Sequence, residues 1–146
     1  MSEPLEIEAD PFGALRTWYL ADDDIVALVG EDVFVGSLEG DVLDRGPKRA
    51  LVITPSGGTS MTGANKAEFD TGRFDLIAYG ATPQEADALI RVAAPRVYNI
   101  DRAVIGDTLI HWVNRAGGVG LARKSDTQWP QAFRSFQILY SLRPVG

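Results

Sequence analysis

A chain of 146 residues, 45% of them apolar, can bury roughly two-thirds of the surface that its unfolded form exposes, so it folds without a metal or disulfide staple. It has no cysteine, which excludes disulfide frameworks, thiolate nucleophiles and thiolate metal sites together and fits a reducing compartment. Twenty acidic residues against fourteen basic ones give a net charge of −6, which disfavours binding of free nucleic acid, because duplex binding begins with neutralising phosphates.

The first ten residues carry four acidic side chains and no apolar segment, so neither a signal peptide nor a membrane anchor is expected there. Residues 1–9 are expected to form an exposed, flexible arm. Asp10-Pro11 predicts a helix start, with Asp10 as N-cap and proline where its missing N–H costs nothing. Phe12, Leu15 and Tyr19 follow at helical spacing. Asp22 predicts the cap of a second short helix, with Asp23 and Asp24 favoured at its positive end, Ile25, Leu28 and Val29 facing inward and Gly30 as the stop.

A brief strand is predicted at Val33–Val35 and a loop at 38–48, where Gly40, Gly46 and Pro47 interrupt alternating charges. The β-branched, apolar run 50–54 predicts a strand partly buried on both faces, ended by Pro55. Residues 57–67 (GGTSMTGANKA) hold too few large apolar groups to pack on themselves and predict a long mobile loop. Phe69–Tyr79 alternates, with Phe74, Leu76 and Ala78 on one face and Arg73 and Asp75 on the other, as a half-buried strand does.

The strongest local signal is Thr82-Pro83-Gln84-Glu85, a capping box. The helix it starts carries Ala86, Leu89, Ile90, Ala93 and Val97 on one stripe, and Pro95 is expected to kink it or end it early. A strand follows at 108–114, a second long mobile loop at 116–130, and a final strand at 132–142 with Phe136, Ile138, Tyr140 and Leu142 on one face. Each such group contributes about 1.5 to 3 kcal/mol when buried, enough to fix the register. The expected fold is a single α+β domain over 1–146: a largely antiparallel sheet of about four to five strands, with a long helix and the short N-terminal helices packed on one face.

No residue pattern predicts a catalytic centre. His111 is the only histidine, and its strand neighbours Leu109 and Val113 put it on a sheet face rather than in a cluster; no G-x-S-x-G occurs, and a structural zinc site would need three or four ligands. Gly57-Gly58-Thr59-Ser60 lacks the lysine of a P-loop, and Gly117-Gly118-Val119-Gly120 lacks the third glycine and the helix of a dinucleotide site. The three aspartates from Asp22 lack the spacing of a calcium loop. No cofactor, metal or enzymatic activity is therefore expected.

Candidate contact residues lie in and beside the two loops. Lys66 in the first and Arg123 and Lys124 in the second are basic groups in an acidic chain, suited to acidic groups on a partner. Arg73 lies on the polar face of its strand. Trp129 closes the second loop, either tucked over the sheet edge or serving as an aromatic anchor of the kind enriched at interfaces.

The sequence Ile25-Val26-Ala27-Leu28-Val29-Gly30, then Asp32-Val33-Phe34, resembles in layout the tail terminator, or tail completion, family of long-tailed bacteriophages and prophage-like elements. The likeness continues through the strand at 50–54, the long loop, Arg73-Phe74-Asp75-Leu76-Ile77-Ala78-Tyr79-Gly80, the helix opening Thr82-Pro83-Gln84-Glu85-Ala86, and the closing strand. It covers nearly the whole chain, although the loop at 116–130 departs from the pattern. The resemblance implies a virion protein assembled in the host cytoplasm. Its copies would form a hexameric ring on the head-proximal end of the tail tube, binding the tube protein, then a neck or head-completion protein, with DNA passing through the lumen without specific binding.

That implication agrees with the physics of the loops. A ring needs a heterologous interface that closes. Ordering residues 57–67 at about 1 to 2 kcal/mol each costs on the order of 10 to 20 kcal/mol, which a full-size interface of roughly 1,600 Å², at about 25 cal/mol/Å², can offset and a small ligand cannot. Carboxylates facing a lumen would also keep phosphates from adhering. The alternatives are another neck component, such as a head-completion or connector-adaptor protein, and a small-ligand domain built on His111 with Asp107 or Arg134.

Overall fold

The computed structural model describes residues 7–38, 40–57, 69–120 and 129–145. Its elements run α1 (Pro11–Leu20), α2 (Asp23–Val29), β1 (Val33–Val35), α3 (Gly40–Leu43), β2 (Ala50–Gly57), β3 (Phe69–Tyr79), α4 (Pro83–Tyr98), β4 (Asp101–Ile105), β5 (Thr108–Gly120) and β6 (Gln131–Ser141). The helix starts follow the local chemistry. Asp10 accepts from the Gly13 N–H at 3.0 Å, Asp22 from the Asp24 N–H at 3.0 Å, and Thr82 from the Glu85 N–H at 3.1 Å. Glu85 reaches back to the Ala81 N–H at 3.4 Å, one residue before the cap.

The sheet has six strands in the order β1-β2-β3-β6-β5-β4, more than the four to five expected. The addition is β4, whose five residues pair with β5 across the turn at Gly106-Asp107. Every neighbouring pair is antiparallel except β1 with β2, which run parallel.

Alternation along the strands separates two cores. Leu51 and Ile53 of β2, Phe74, Leu76 and Ala78 of β3, and Phe136 and Ile138 of β6 face α1, α2 and α4. Phe74 and Phe136 are directly opposed in the register and their rings stack at 5.3 Å, a cross-strand pair whose burial and stacking hold β3 and β6 in register. The intervening residues Ala50, Val52 and Tyr79 face the other way, where Leu38 and Val42 join them. The helices therefore do not all lie on one face. Segment 38–48, expected to be a loop, buries Leu38 and folds Gly40–Leu43 as α3 against the second face.

Two further expectations change. The segment 116–130 is not loop throughout, because β5 continues to Gly120, with Val119 opposite Arg134 and a register shift between Arg115 and Val119; strand glycines permit such a bulge. Pro95 does not end α4, which continues to Tyr98. Its last turn is held from outside: the Tyr19 hydroxyl donates to the Ala93 carbonyl at 2.7 Å, the Trp18 indole to the Arg96 carbonyl at 2.8 Å, and Val97 is fully buried. Arg96 then pairs with Asp22 at 3.2 Å and Asp24 at 3.1 Å, tying α2 to α4.

Candidate interaction surface

The register places the surface residues of the second face in rows. Phe69 of β3 lies opposite Ser141 of β6, and His111 of β5 completes that row, its Nε2 at 3.2 Å from the Ser141 hydroxyl and its ring edge-on to Phe69 at 5.0 Å. Thr71, Leu139 and Trp112 form the next row, and Arg73, Gln137 and Asn114 the one after. The Arg73 guanidinium reaches across this third row and donates to the Ala116 carbonyl at 2.9 Å. Asp75 and Ser135 follow, with the Ser135 hydroxyl donating to the Asp75 carboxylate at 2.6 Å.

Beyond Asp75 the face becomes apolar and covered. Trp129 is only 7% exposed and sets its ring edge-on against Tyr79 at 6.0 Å, within the cluster that α3 closes. Its ring is thus engaged inside the chain, at the point where the second excursion rejoins the sheet. Between this cluster and the His111 row lies a half-buried, mixed surface with no helix laid over it among the described residues.

Of the other contact candidates, Lys66, Arg123 and Lys124 lie outside the described residues, as do 1–6 of the arm, 58–67 of the first excursion and 121–128 of the second. The strands they spring from are described. The first joins the end of β2 to the start of β3, near Arg73 and Phe69. The second joins the end of β5 to the start of β6, level with Tyr79. The two returns, at Phe69 and at Gln131 opposite Tyr79, are at opposite ends of β3, whose eleven residues span roughly 35 Å; the two departures, Gly57 opposite Arg73 and Gly120 opposite Phe133 and so level with Ile77, are closer together along it.

The residues of the small-ligand reading do not converge. His111 is on the open face, whereas Arg134 registers against Leu76 on the helical face and donates to the Phe133 carbonyl at 2.9 Å. The Asp107 carboxylate accepts from the neighbouring Thr108 hydroxyl at 3.4 Å. Among the described residues no cluster of three or more metal-ligating side chains occurs, and no helix is long and apolar enough to cross a membrane. Sequence reasoning missed the continuity of this face, since its rows come from three strands and appear only once β5 is laid beside β6.

The molecule is thus an α+β protein with a mixed six-stranded sheet, helices over one face, and a second face that α3 covers only in part. No family model matches the chain and no curated protein matches it. Solved structures do. The chain is similar to the gp17 protein of bacteriophage SPP1, at 14% identity and a TM-score of 0.50, with 86% of this chain and 85% of that one covered. It is similar also to a chain of the virion of a native gene transfer agent particle, at 14% identity and a TM-score of 0.52, with 92% and 93% covered. At such identities the likeness is one of fold.

Proposed function

We propose that this protein is a structural component of a phage or phage-like virion, and specifically a tail terminator. It would cap the head-proximal end of the tail tube as a ring of identical copies and join tail to neck. The observation that carries the reading is a fold shared over most of the chain with a bacteriophage protein and with a chain of a gene transfer agent virion. The element order quoted from the sequence supports it. So does the return of the two excursions to the sheet at opposite ends of β3, Phe69 and Gln131, which suits contacts with separate neighbours.

In this reading Lys66 and Arg73 belong to the end near Phe69, and Arg123 and Lys124 to the end near Tyr79, with Trp129 fixing the base of the second excursion. The body already has its own core, and partner binding would use the excursions and the open face. No catalytic step is assigned. Free copies are expected to be smaller than the assembly that forms with the tail tube protein, because a stable ring contact needs a full-size partner surface.

The test is solution mass of the full chain, alone and with the tail tube protein, together with negative-stain images of particles lacking this protein. A ring-sized complex and overlong tubes are expected. Tubes of normal length beside heads that leak their DNA would assign a connector-adaptor role instead. A chain that stays monomeric with every virion component would end the structural reading.

A further inference from the structure

The sheet's two edges are in unlike states. At one edge Arg16 of α1 donates from Nε to the Val33 carbonyl at 2.7 Å, and the Val33 N–H donates to the Glu31 carbonyl at 2.8 Å, so the outward backbone of Val33 is occupied. At the other edge, β4 pairs on one side only. Ile105 and Thr108 flank the two-residue turn Gly106-Asp107 and so form a hydrogen-bonded pair. The alternation of an antiparallel ladder then directs the backbone of Ala103 toward β5 and that of Val104 outward, while Arg102, at φ 49°, departs from the regular ladder. Val104 is 58% exposed. An uncovered edge of this kind is a template for an added strand.

The chain also carries a segment suited to such an edge. Leu5-Glu6-Ile7-Glu8 alternates apolar and acidic residues, the period of a strand with one face to bury. It follows Pro4, which is tolerated at a strand's first position. Just after it, the Ala9 N–H donates to the Leu142 carbonyl at 2.8 Å. That anchor lies at the end of β6, two strands in from β4, and Ile7 just before it is 72% exposed. β4 carries one cation, Arg102, exposed beside Asp101, and every charged residue in the first eight positions is acidic.

We propose that the N-terminal arm of one copy adds as a seventh strand to the β4 edge of a neighbouring copy, with Ile7 against Val104 and its acidic residues near Arg102. The donor is one end of the chain and the acceptor is a single edge, the other edge being blocked at Val33. Each copy therefore offers one arm and one edge, a head-to-tail contact of the type that closes a ring. The proposal rests on the self-association in the reading above and adds to it the contact that links successive copies.

Because the chain has no cysteine, the contact can be tested on full-length protein with one introduced thiol per copy. An Ile7→Cys chain is mixed with a Val104→Cys chain and oxidised under assembly conditions. A parallel mixture replaces the second chain with Val26→Cys, whose site on α2 is 37% exposed. The Ile7–Val104 cross-link is expected to exceed the control about tenfold, because a shared contact raises the effective concentration of the two thiols. Adding Arg102→Glu to the acceptor should remove most of that excess.

Equal yields in the two mixtures would overturn the proposal, as would dimers formed mainly between two Val104→Cys chains, which would mean edge-to-edge pairing. So would an Ile7→Cys/Val104→Cys double variant that closes only within one chain. Solution mass of the same samples before oxidation separates the two ideas. Assembly without the cross-link refutes the arm contact alone, and no assembly under any condition refutes self-association and the arm contact together.

Discussion

Tyr19 is fully buried, and its hydroxyl donates to the Ala93 carbonyl of α4 at 2.7 Å. Burial first, and the Asp22 carboxylate second, push its phenol well above the ordinary value near 10, with Arg96 opposing them. Below that ordinary value the phenol is protonated in both folded and unfolded chains, so its contribution to stability is fully present. Above it the unfolded chain releases the proton and the folded one does not, so stability falls by about 1.4 kcal/mol per pH unit until the folded phenol ionises. Tyr19→Phe should remove this group's share of the alkaline decline while costing about 1 kcal/mol at neutral pH for the lost hydrogen bond. Urea midpoints of the two proteins across the alkaline range measure both effects. Trp18, one position earlier, shows the limit of reading such residues from sequence: helical periodicity marks it as next to the buried stripe, but nothing local indicates that its indole meets the Arg96 carbonyl.

Where β3 gives way to α4 the backbone passes very close to itself. A Cβ on Gly80 would lie 2.6 Å from the Ala86 nitrogen and 3.0 Å from the Glu85 carbonyl carbon, and backbone atoms cannot yield as the tip of a flexible side chain can. Gly80→Ala is therefore expected to destabilise by about 1 to 3 kcal/mol, the usual cost of overpacking, read as a shift in denaturation midpoint at unchanged m-value. This junction was legible in part, because Thr82, Pro83 and Glu85 mark the helix start by their chemistry. The elements that were not legible depend on distant partners. β4 is five residues long with polar Asp101 and Arg102 at its start, and it becomes a strand only by folding back on β5, for which the one local signal was the turn at Gly106-Asp107. β5 runs through two glycines because β6 lies beside it. The last turn of α4 survives its proline because Tyr19, Trp18 and Val97 secure it from outside the helix. At the opposite edge, Arg16→Ala should free the Val33 carbonyl and add an open edge at β1; a concentration-dependent rise in light scattering is expected.

For the whole molecule, the sequence predicted the class, a sheet with helices over one face, because alternation along β3 and β6 and the stripe of α4 are each strong and mutually consistent. It did not predict the second face. Ala50 and Val52 read as a strand partly buried on both sides, but what covers that side, α3 and Trp129, is a four-residue helix and a residue at a loop's end, neither of which shows a periodicity. The rows from Phe69 to Asn114 were invisible for a related reason: their members are set side by side by register across three strands. The net charge of −6 also acts at this scale. At near-physiological salt, about 0.15 M, duplex DNA should show no measurable retention by the free protein, since the condensed counterions have no net positive surface to replace them; electrophoretic mobility of labelled duplex is the measurement.

The siting of the two excursions gives the molecule a direction. One returns to the sheet at Phe69 and the other at Gln131, opposite Tyr79, with the length of β3 between these two points. In the tail-terminator reading proposed above, variants confined to one end are expected to stall with a different half-built particle from variants confined to the other, as seen by negative-stain imaging; the same particle from both would mean that the two ends serve one contact.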